Sequence, residues 1–467
     1  MNDNLTEYCV NILEKKVNIR RLWKEGFRRD PLKYYFIITY PPITLAKRIS
    51  EQEVYSNFSV DTKKIALYFH IPFCSRKCVF CPYFSIVPNK DQQLGEYLEY
   101  LKKEIRIIKR YIPNNLKVEA VYIGGGTPTI LKPQLLNDLL GYIHKEFRLS
   151  ESVEITVEVH PEIVRTDVKT YLQILKENKV NRISIGMQTF DNNILSLTQR
   201  GHTAEESIKL FNEVKKTGFP CVVIDILYGL PDQTIDSWLE DLKVAYDLAP
   251  DVVTTYCMEI RDWTKNYQWY VKEPYRFPNE YLYHLFYIMG VEKAKQEGYI
   301  QKPVMYYSKV KNHFKYATDI FAESEENIVI GLGISAYSWV NGYQYFNYHT
   351  FEDYYKTIRE GNLPIWKGIK LSLEDRMARM AMLNLRLSSC INKKKFRLAF
   401  GRDVCDVFDK TITRLKGLGL LQETNHEISL TYSGTLFTEE VCILFIPPTT
   451  KNNLKGLKGK YDRFYRL

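Results

Sequence analysis

From about residue 61 to residue 260 the sequence alternates between two hydrophobic periods. Six short runs rich in β-branched and aromatic residues predict strands. They cover residues 65–71, 118–124, 153–159, 182–187, 222–229 and 252–258. Helical patterns lie between them, and the clearest is an apolar stripe at three- and four-residue spacing from Leu94 to Ile112. This alternation is typical of parallel strands joined by helical crossovers.

Six such units favour an α/β fold of a particular kind, a partial (β/α)6 barrel. A full eight-unit barrel needs about 250 residues, more than this stretch provides. A doubly wound sheet is the competing topology.

The rest of the sequence suggests four parts. We expect an N-terminal extension over residues 1–60, with a helical leader and an irregular segment at the prolines of ITYPPIT. The barrel core takes 61–275, and a flanking segment takes 276–365. Residues 366–467 form the C-terminal domain, whose pattern of helix, turn and short hairpin indicates a mainly helical, winged-helix-like module.

Composition and charge indicate where the protein functions and which partners it binds. No apolar run of about 18 residues occurs, and the first residues lack a signal-peptide cleavage site, so we expect a cytoplasmic protein without a membrane span. The formal net charge is +10, but residues 451–467 hold six basic residues and one acidic residue and so carry +5 of it. Charge gathered in one tail is more typical of a solvated surface than of a nucleic-acid site, and we expect no nucleic-acid partner.

Three of the nine cysteines, Cys74, Cys78 and Cys81, fall within eight positions, directly after the first predicted strand. Either they are small apolar fillers, or they bind something. Zinc sites usually add a second cysteine pair or paired histidines, which this sequence lacks. Three thiolates suit a [4Fe–4S] cluster with one iron left open to a ligand. The position supports a site, because chemistry in barrels lies at the carboxyl ends of strands.

Several further motifs follow the cysteine loop in a fixed order. They are YFHIPFCSRKCVFC (68–81), GGGTPT (124–129), EVHPE (158–162), SIGMQTF (184–190), QRGH (199–202), DILYGLPDQT (225–234) and GLGISAYS (331–338). Together they resemble the radical S-adenosylmethionine (SAM) enzymes, and within that superfamily the oxygen-independent coproporphyrinogen III dehydrogenase, or HemN-like, family.

The resemblance implies roles for individual residues. Cys74, Cys78 and Cys81 are expected to bind the [4Fe–4S] cluster. The positions that match SAM contacts are Tyr68, Phe80, Gly125, Gly126, Thr127, Glu158, Gln188, Arg200, Asp225, Cys257 and Tyr337. Their number and variety suggest two bound SAM molecules. Glycines in this set let the backbone approach a ligand closely, since no Cβ intervenes.

The resemblance also implies a reaction. An electron donor such as flavodoxin or ferredoxin would reduce the cluster, and SAM would be cleaved to methionine and a 5′-deoxyadenosyl radical that abstracts hydrogen from a small-molecule substrate. The first expectation is oxidative decarboxylation of tetrapyrrole propionates. One alternative is transfer of a methyl-derived group to another unsaturated metabolite with two SAM molecules. The other is a heme chaperone, a binding protein.

Two departures from the resemblance bear on the substrate. Tyr83 stands where the coproporphyrinogen enzyme has a fourth cysteine. The heme chaperones' His-Asn-x-x-Tyr-Trp element is replaced by NHFKYA at 312–317, with the first two residues in reversed order and the tryptophan missing. An acidic substrate would suit basic residues near the start of the chain, which we expect instead on an exposed helix face. These residues are Arg20, Arg21, Lys24, Arg28 and Arg29.

Overall fold

A single twelve-stranded sheet organises the computed structural model of the chain. The structure describes residues 2–29, 31–32, 37–56, 58, 64–301, 304–309, 314–323 and 326–455. The strands are β1 (Ile65–Ile71), β2 (Lys117–Gly125), β3 (Arg148–Val159), β4 (Arg182–Gln188), β5 (Cys221–Tyr228), β6 (Val252–Cys257), β7 (Ile300–Gln301), β8 (Tyr306–Ser308), β9 (Ile328–Leu332), β10 (Tyr337–Val340), β11 (Tyr343–Asn347), β12 (Ile365–Lys370), β13 (Cys390–Asn392), β14 (Leu421–Glu423) and β15 (Glu427–Leu430).

Helices connect and cover these strands. The α-helices are α1 (Asn2–Asn11), α2 (Ile19–Lys24), α3 (Glu51–Tyr55), α4 (Gln92–Ile108), α5 (Pro133–Glu146), α6 (Val168–Glu177), α7 (Asn192–Leu197), α8 (Ala204–Thr217), α9 (Ile235–Asp247), α10 (Lys265–Lys272), α11 (Glu280–Gln296), α12 (Phe351–Arg359), α13 (Leu373–Ser388), α14 (Lys393–Phe400), α15 (Val404–Val407), α16 (Asp409–Gly417), α17 (Tyr432–Leu436), α18 (Thr438–Ile443) and α19 (Pro448–Lys455). Short 3-10 helices cover Ile37–Thr39, Ile43–Leu45, Pro128–Ile130, Pro161–Arg165 and Pro274–Arg276, and π-helical turns cover Ile12–Lys16 and Tyr316–Phe321.

Strands β1 to β6 lie side by side in chain order, and each pairs in parallel with the next. A doubly wound sheet would instead reverse the strand order at a switch point. The partial (β/α)6 barrel is therefore confirmed, and the competing topology is excluded. β9 adds a parallel strand on the other side of β1.

Antiparallel strands extend the sheet at both ends. β10, β11 and β12 follow β9, while β8 and β7 follow β6. Within the part of the chain that the structure describes, β12 and β7 are the two edges, and the barrel stays open. The sheet runs across the boundaries expected at 275 and 365, so the division of the chain into four parts remains a proposal.

The predicted elements of the core are confirmed because the parallel strands are covered on both faces. In β1 every residue except Tyr68 is buried, which produces a continuous apolar run. β3 starts at Arg148, five residues before its predicted start, since the polar segment RLSES carries no hydrophobic signal. Helices α8 and α9 begin with capping boxes at Thr203 and Thr234.

The two ends of the chain pack against the core. α1 and the π-helical turn after it lie on α11, and the Phe27 ring meets the Phe437 ring edge-on at 6.0 Å. The predicted C-terminal hairpin is β14 and β15, which β13 extends to a three-stranded sheet beside α14 to α16. Among the described residues, no helix is long and apolar enough to cross a membrane.

A buried carboxylate joins the core to the added strands. Glu104 on α4 accepts hydrogen bonds from the Gly333 amide (2.8 Å), the Asn347 side-chain amide (2.8 Å) and the Tyr354 hydroxyl (2.6 Å). These donors belong to the loop after β9, to β11 and to α12. One side chain therefore fixes three separate segments to α4.

Glu104 gives the fold a pH dependence that can be measured. Burial raises its pKa to about 7, whereas a glutamate in the unfolded chain titrates near 4.3. Stability from this group is therefore full below about pH 4 and is lost as pH rises through 7. The variant Glu104→Gln does not ionise, so its stability relative to wild type should rise between pH 5 and pH 8, by up to about 3 kcal/mol. Urea unfolding at several pH values measures this difference.

The control is Glu99→Gln on the same helix, whose side chain is exposed. This variant removes a surface charge, so its unfolding free energy should differ from that of wild type by no more than about 0.5 kcal/mol. A Glu104→Gln difference that stays constant across the pH range would contradict the titration of Glu104.

Candidate functional site

The cysteine loop lies at the carboxyl end of β1, as predicted. The Cys74 amide donates to the Ile86 carbonyl (3.0 Å), and the Ile86 amide donates to the Pro72 carbonyl (2.8 Å), which closes the loop at its base. All nine cysteines are free thiols. The loop is thus a fixed turn that carries three unpaired thiols.

Two hydrogen-bond donors from later parts of the barrel point at these thiols. The Thr127 hydroxyl donates to the Cys74 sulfur (3.6 Å), and the Arg200 guanidinium donates to the Cys78 sulfur (3.5 Å). Burial raises the pKa of Cys74, and it raises that of Cys81 to about 11. Such thiols become thiolates only with a partner such as a metal, and the two donors favour the charged form.

The three thiols are of the ligand type that an iron–sulfur cluster requires. Among the described residues, no three cysteine, histidine, aspartate or glutamate side chains converge on one point. In a cubane each thiolate binds a different iron, so the sulfurs stand apart. The thiols of Cys74, Cys78 and Cys81 are close enough to interact electrostatically, and thiolates are the ligands that iron–sulfur clusters prefer.

The polar residues between the cysteines fasten the loop to its neighbours. Ser75 donates to Glu162 (2.5 Å), and Arg76 forms an ion pair with the same carboxylate (3.3 Å). Lys77 donates to the Ser85 hydroxyl (2.8 Å) and to the Tyr83 carbonyl. Glu162 belongs to the segment after β3, so the loop is tied to a second strand end.

The glycine segment after β2 lies directly against the cysteine loop. The Gly126 amide donates to the Ile71 carbonyl (2.8 Å), and the Thr127 amide donates to the Phe73 carbonyl (2.8 Å). A Cβ on Gly126 would stand 2.5 Å from the Phe73 carbonyl oxygen, and one on Gly125 would stand 2.4 Å from the His70 ring. Gly125 also has φ +109°. No larger residue fits at either position.

Two half-buried carboxylates face the interior of the barrel. Glu158 accepts from the Tyr122 hydroxyl (2.6 Å) and the Gly125 amide (3.2 Å), and Asp225 accepts from the Ser184 hydroxyl (2.6 Å). Burial, together with the neighbouring charge of Asp225, raises the pKa of Glu158 to about 7. Burial likewise raises the pKa of Asp225. Two repelling carboxylates in one cavity favour a cationic ligand, such as an amino group or a sulfonium.

Gln188 and Arg200 lie together across a glycine. A Cβ on Gly186 would be 2.8 Å from the Gln188 amide nitrogen and 2.9 Å from an Arg200 nitrogen. Arg200 also donates to the Gly186 carbonyl. Gln188 has φ +72°, a left-handed conformation that is unusual for this residue type.

Tyr68 belongs to a short hydrogen-bonded chain that the sequence analysis missed. The Tyr68 hydroxyl lies 2.9 Å from His70 Nδ1, and His70 Nε2 lies 2.9 Å from the Phe84 carbonyl. A carbonyl only accepts, so Nε2 carries the proton and Nδ1 accepts from Tyr68. Burial lowers the pKa of His70 to about 4, which keeps the ring neutral. The sequence could have indicated this contact, because His70 comes two residues after Tyr68 and so lies on the same face of β1.

The remaining predicted contacts separate into two groups. Phe80 packs with the apolar residues around Leu227 and Met258, at the ends of β5 and β6. Cys257 ends β6 at the same edge of the sheet. Tyr337 instead packs against Phe321 and Phe346 and accepts a hydrogen bond from Arg379 (3.3 Å). None of these neighbours belongs to the cysteine loop, so the expected SAM contact of Tyr337 rests on the motif alone.

One expectation for the basic N-terminal residues is wrong. α2 ends at Lys24, so Arg28 and Arg29 do not belong to a helix face. The Arg29 guanidinium donates to the Cys257 sulfur (3.2 Å) and lies 4.2 Å from the centre of the Tyr283 ring. The N-terminal extension therefore brings a cation to the end of β6. The chaperone-type positions 312 and 313 lie outside the described residues.

Comparison with known proteins identifies the family. The sequence profile of the Radical SAM superfamily matches residues 68–245, and that of the HemN C-terminal domain matches residues 371–437. The chain belongs to the radical SAM superfamily, in its HemN-like group. Members of this superfamily use SAM and a [4Fe–4S] cluster.

The similar proteins include both coproporphyrinogen III oxidases and heme chaperones. An oxygen-independent coproporphyrinogen III oxidase from Synechocystis is 26% identical, over 87% of this chain and 91% of the relative. A heme chaperone HemW from Buchnera aphidicola is 30% identical, over 58% of this chain and 69% of the relative. The solved structure of coproporphyrinogen III oxidase (HemN) from Escherichia coli, a radical SAM enzyme, has a TM-score of 0.78 at 25% identity and covers 88% of this chain and 97% of the solved one.

The contact between the glycine segment and the cysteine loop can be tested with Gly126→Ala. The added Cβ meets backbone atoms, which must move, so we expect a loss of about 2 kcal/mol in unfolding free energy and less iron per chain after anaerobic reconstitution. Urea unfolding and an iron assay measure both effects. The matched control is Gly141→Ala on α5, where a Cβ meets nothing within 4 Å. That variant should gain about 0.5–1 kcal/mol. Equal behaviour of the two variants would contradict the close approach.

Proposed function

We propose that the chain is a radical SAM enzyme whose Cys74, Cys78 and Cys81 bind a [4Fe–4S] cluster. The observation that carries this is the thiol loop at the end of β1, with Thr127 and Arg200 donating to two of its sulfurs. When bound, the cluster and SAM supply one-electron cleavage of the sulfonium C–S bond, which starts hydrogen abstraction from an unactivated carbon.

The residues around the loop would hold and orient SAM. Gly125 and Gly126 give the ligand access to backbone groups, and Glu158 offers carboxylate oxygens to ribose hydroxyls or an amino group. Tyr68, Phe80, Thr127, Gln188, Arg200, Asp225, Cys257 and Tyr337 complete the proposed contacts. Glu158 and Asp225 favour a positive charge between them, while burial of the surrounding residues excludes water.

We place the reaction on a tetrapyrrole first, as oxidative decarboxylation of propionate side chains. The support is the likeness to the E. coli coproporphyrinogen III oxidase over nearly its whole length. Arg29 adds to it, because a guanidinium at the end of β6 suits a carboxylate of the substrate. An acidic electron-transfer protein such as flavodoxin or ferredoxin would supply electrons, and we place the enzyme in the cytoplasm.

Two other functions remain as alternatives. A second SAM bound by Asp225 and Arg200 beside Phe80 would permit transfer of a methyl-derived group. The support for a second SAM is the number of polar residues at the strand ends, which is larger than one ligand needs. A heme chaperone is favoured by the HemW relative. Tyr83 in place of a fourth cysteine separates the chain from the coproporphyrinogen enzyme at one position.

The cluster assignment predicts the effect of removing single thiols. Anaerobically reconstituted wild type should hold about four irons per chain. Cys74→Ala, Cys78→Ala and Cys81→Ala should each lose the cluster, because two thiolates do not hold a cubane. Cys390→Ala and Cys405→Ala are the controls and should keep wild-type iron. Iron and sulfide assays measure the outcome, and full iron in the three loop variants would refute the assignment.

Reaction products rank the three functions. With dithionite the enzyme should release 5′-deoxyadenosine slowly without substrate. With coproporphyrinogen III, decarboxylation should add carbon dioxide and form no S-adenosylhomocysteine, whereas methyl-derived transfer should form S-adenosylhomocysteine in proportion to product. Tight, stoichiometric heme binding without SAM cleavage would instead support the heme chaperone.

The number of bound SAM molecules is a separate prediction. Equilibrium dialysis should find two SAM per cluster in wild type and close to one in Asp225→Ala, which should keep its iron. A single SAM per cluster in wild type would contradict the two-SAM proposal.

A further inference from the structure

Another carboxylate, Asp241, is buried outside the cavity, between the loops that follow β4 and β5. Asp241 on α9 is 1% exposed. Its Oδ1 accepts from the Phe190 amide (2.6 Å), and the Thr189 hydroxyl lies 2.9 Å from both carboxylate oxygens. Its Oδ2 accepts from the Gln233 side-chain amide (3.3 Å). The bonds to Thr189 and Gln233 are buried, and the bond to the Phe190 amide is partly buried.

Gln233 extends this network along the loop after β5. Its side-chain oxygen accepts from the amides of Gly229 (2.7 Å) and Leu230 (3.2 Å), and its side-chain nitrogen donates to the Leu227 carbonyl (3.2 Å). Asp241 and Gln233 together therefore accept from backbone amides in two consecutive strand-end loops.

The network ends one residue from the cavity. Thr189 and Phe190 directly follow Gln188, whose left-handed backbone turns its side chain toward Gly186 and Arg200. A left-handed glutamine is held only where its surroundings fix it. The bonds from Asp241 to the next two residues supply that constraint.

We propose that Asp241 is a positioning residue for SAM, holding the loop after β4 in the conformation that places the Gln188 amide beside Arg200. This inference rests on the proposed function, since it takes Gln188 to be a SAM contact. Asp241 itself touches neither the ligand nor the thiols; it acts through Thr189 and Phe190.

The chemistry of the site explains why a carboxylate stands here. The Phe190 amide and the Gln233 amide nitrogen are donors only, and both point at the same side chain. An alanine would remove the acceptor of the Phe190 amide and of one N–H of the Gln233 amide, whose other N–H keeps the Leu227 carbonyl, and this loss loosens the loop. An asparagine keeps one acceptor oxygen for the Phe190 amide and the Thr189 hydroxyl, and so should keep the Gln188 conformation.

The test compares SAM binding and kinetics in reconstituted variants. Asp241→Ala should raise the SAM Kd, measured by equilibrium dialysis, and the KM in dithionite-driven 5′-deoxyadenosine release by about 10-fold or more. Its kcat should stay within about twofold of wild type, and its iron content should not change. Asp241→Asn should restore the Kd to within about threefold. Thr189→Val, a milder change of the same network, should also raise the Kd.

The matched control is Glu292→Ala on α11. Glu292 is also buried and accepts from the Tyr432 hydroxyl (2.9 Å) and Lys295 (2.7 Å), away from the cavity. This variant should lower the melting temperature without changing the SAM Kd. An unchanged Kd in both Asp241→Ala and Thr189→Val, while Gln188→Ala weakens binding, would overturn the positioning role alone. Absence of SAM binding by iron-loaded wild type would refute the proposed function itself.

Discussion

The site depends on the parallel pairing of β1 with β2. This pairing places residues 71 and 125 opposite each other, so the cysteine loop and the glycine segment leave the sheet at the same edge. Two backbone hydrogen bonds, from Gly126 to Ile71 and from Thr127 to Phe73, then lock the two loops together. A side chain at either glycine would push them apart. Thr127, Arg200 and Glu158 contact this pair of loops, whereas Tyr337 packs elsewhere.

The same geometry explains how residues far apart in sequence meet. Parallel strands in chain order present their carboxyl ends along one edge, and each end here contributes a polar group or thiol. Glu158, Gln188 and Cys257 come from β3, β4 and β6 in that way. Elements outside the barrel complete the set, since the N-terminal extension brings Arg29 to the end of β6. The barrel thus positions most of the predicted site residues, and the N-terminal extension adds Arg29 to them.

Most of the barrel fold could be predicted from the sequence, because the core strands are buried on both faces and their apolar runs are unambiguous. The cysteine spacing and the glycine run predicted a site at the carboxyl ends of the first two strands, where the structure brings the two loops together. Predictions failed where a contact depends on chain path. Arg29 carries no periodic signal, and only the fold reveals that it reaches Cys257. The buried roles of His70 and Asp241 were missed because a lone polar residue in a sequence does not show what surrounds it.

The cysteine loop has a consequence for assembly of the cluster. Its shape is set by contacts that need no metal: the ties from Ser75 and Arg76 to Glu162, from Lys77 to Ser85, and from Cys74 to Ile86. In small zinc domains the metal supplies the folding free energy, and the unloaded chain is unfolded. In this chain the large sheet and these contacts stabilise the loop instead. We therefore expect the polypeptide to fold before it receives iron, because these contacts shape the loop without a metal.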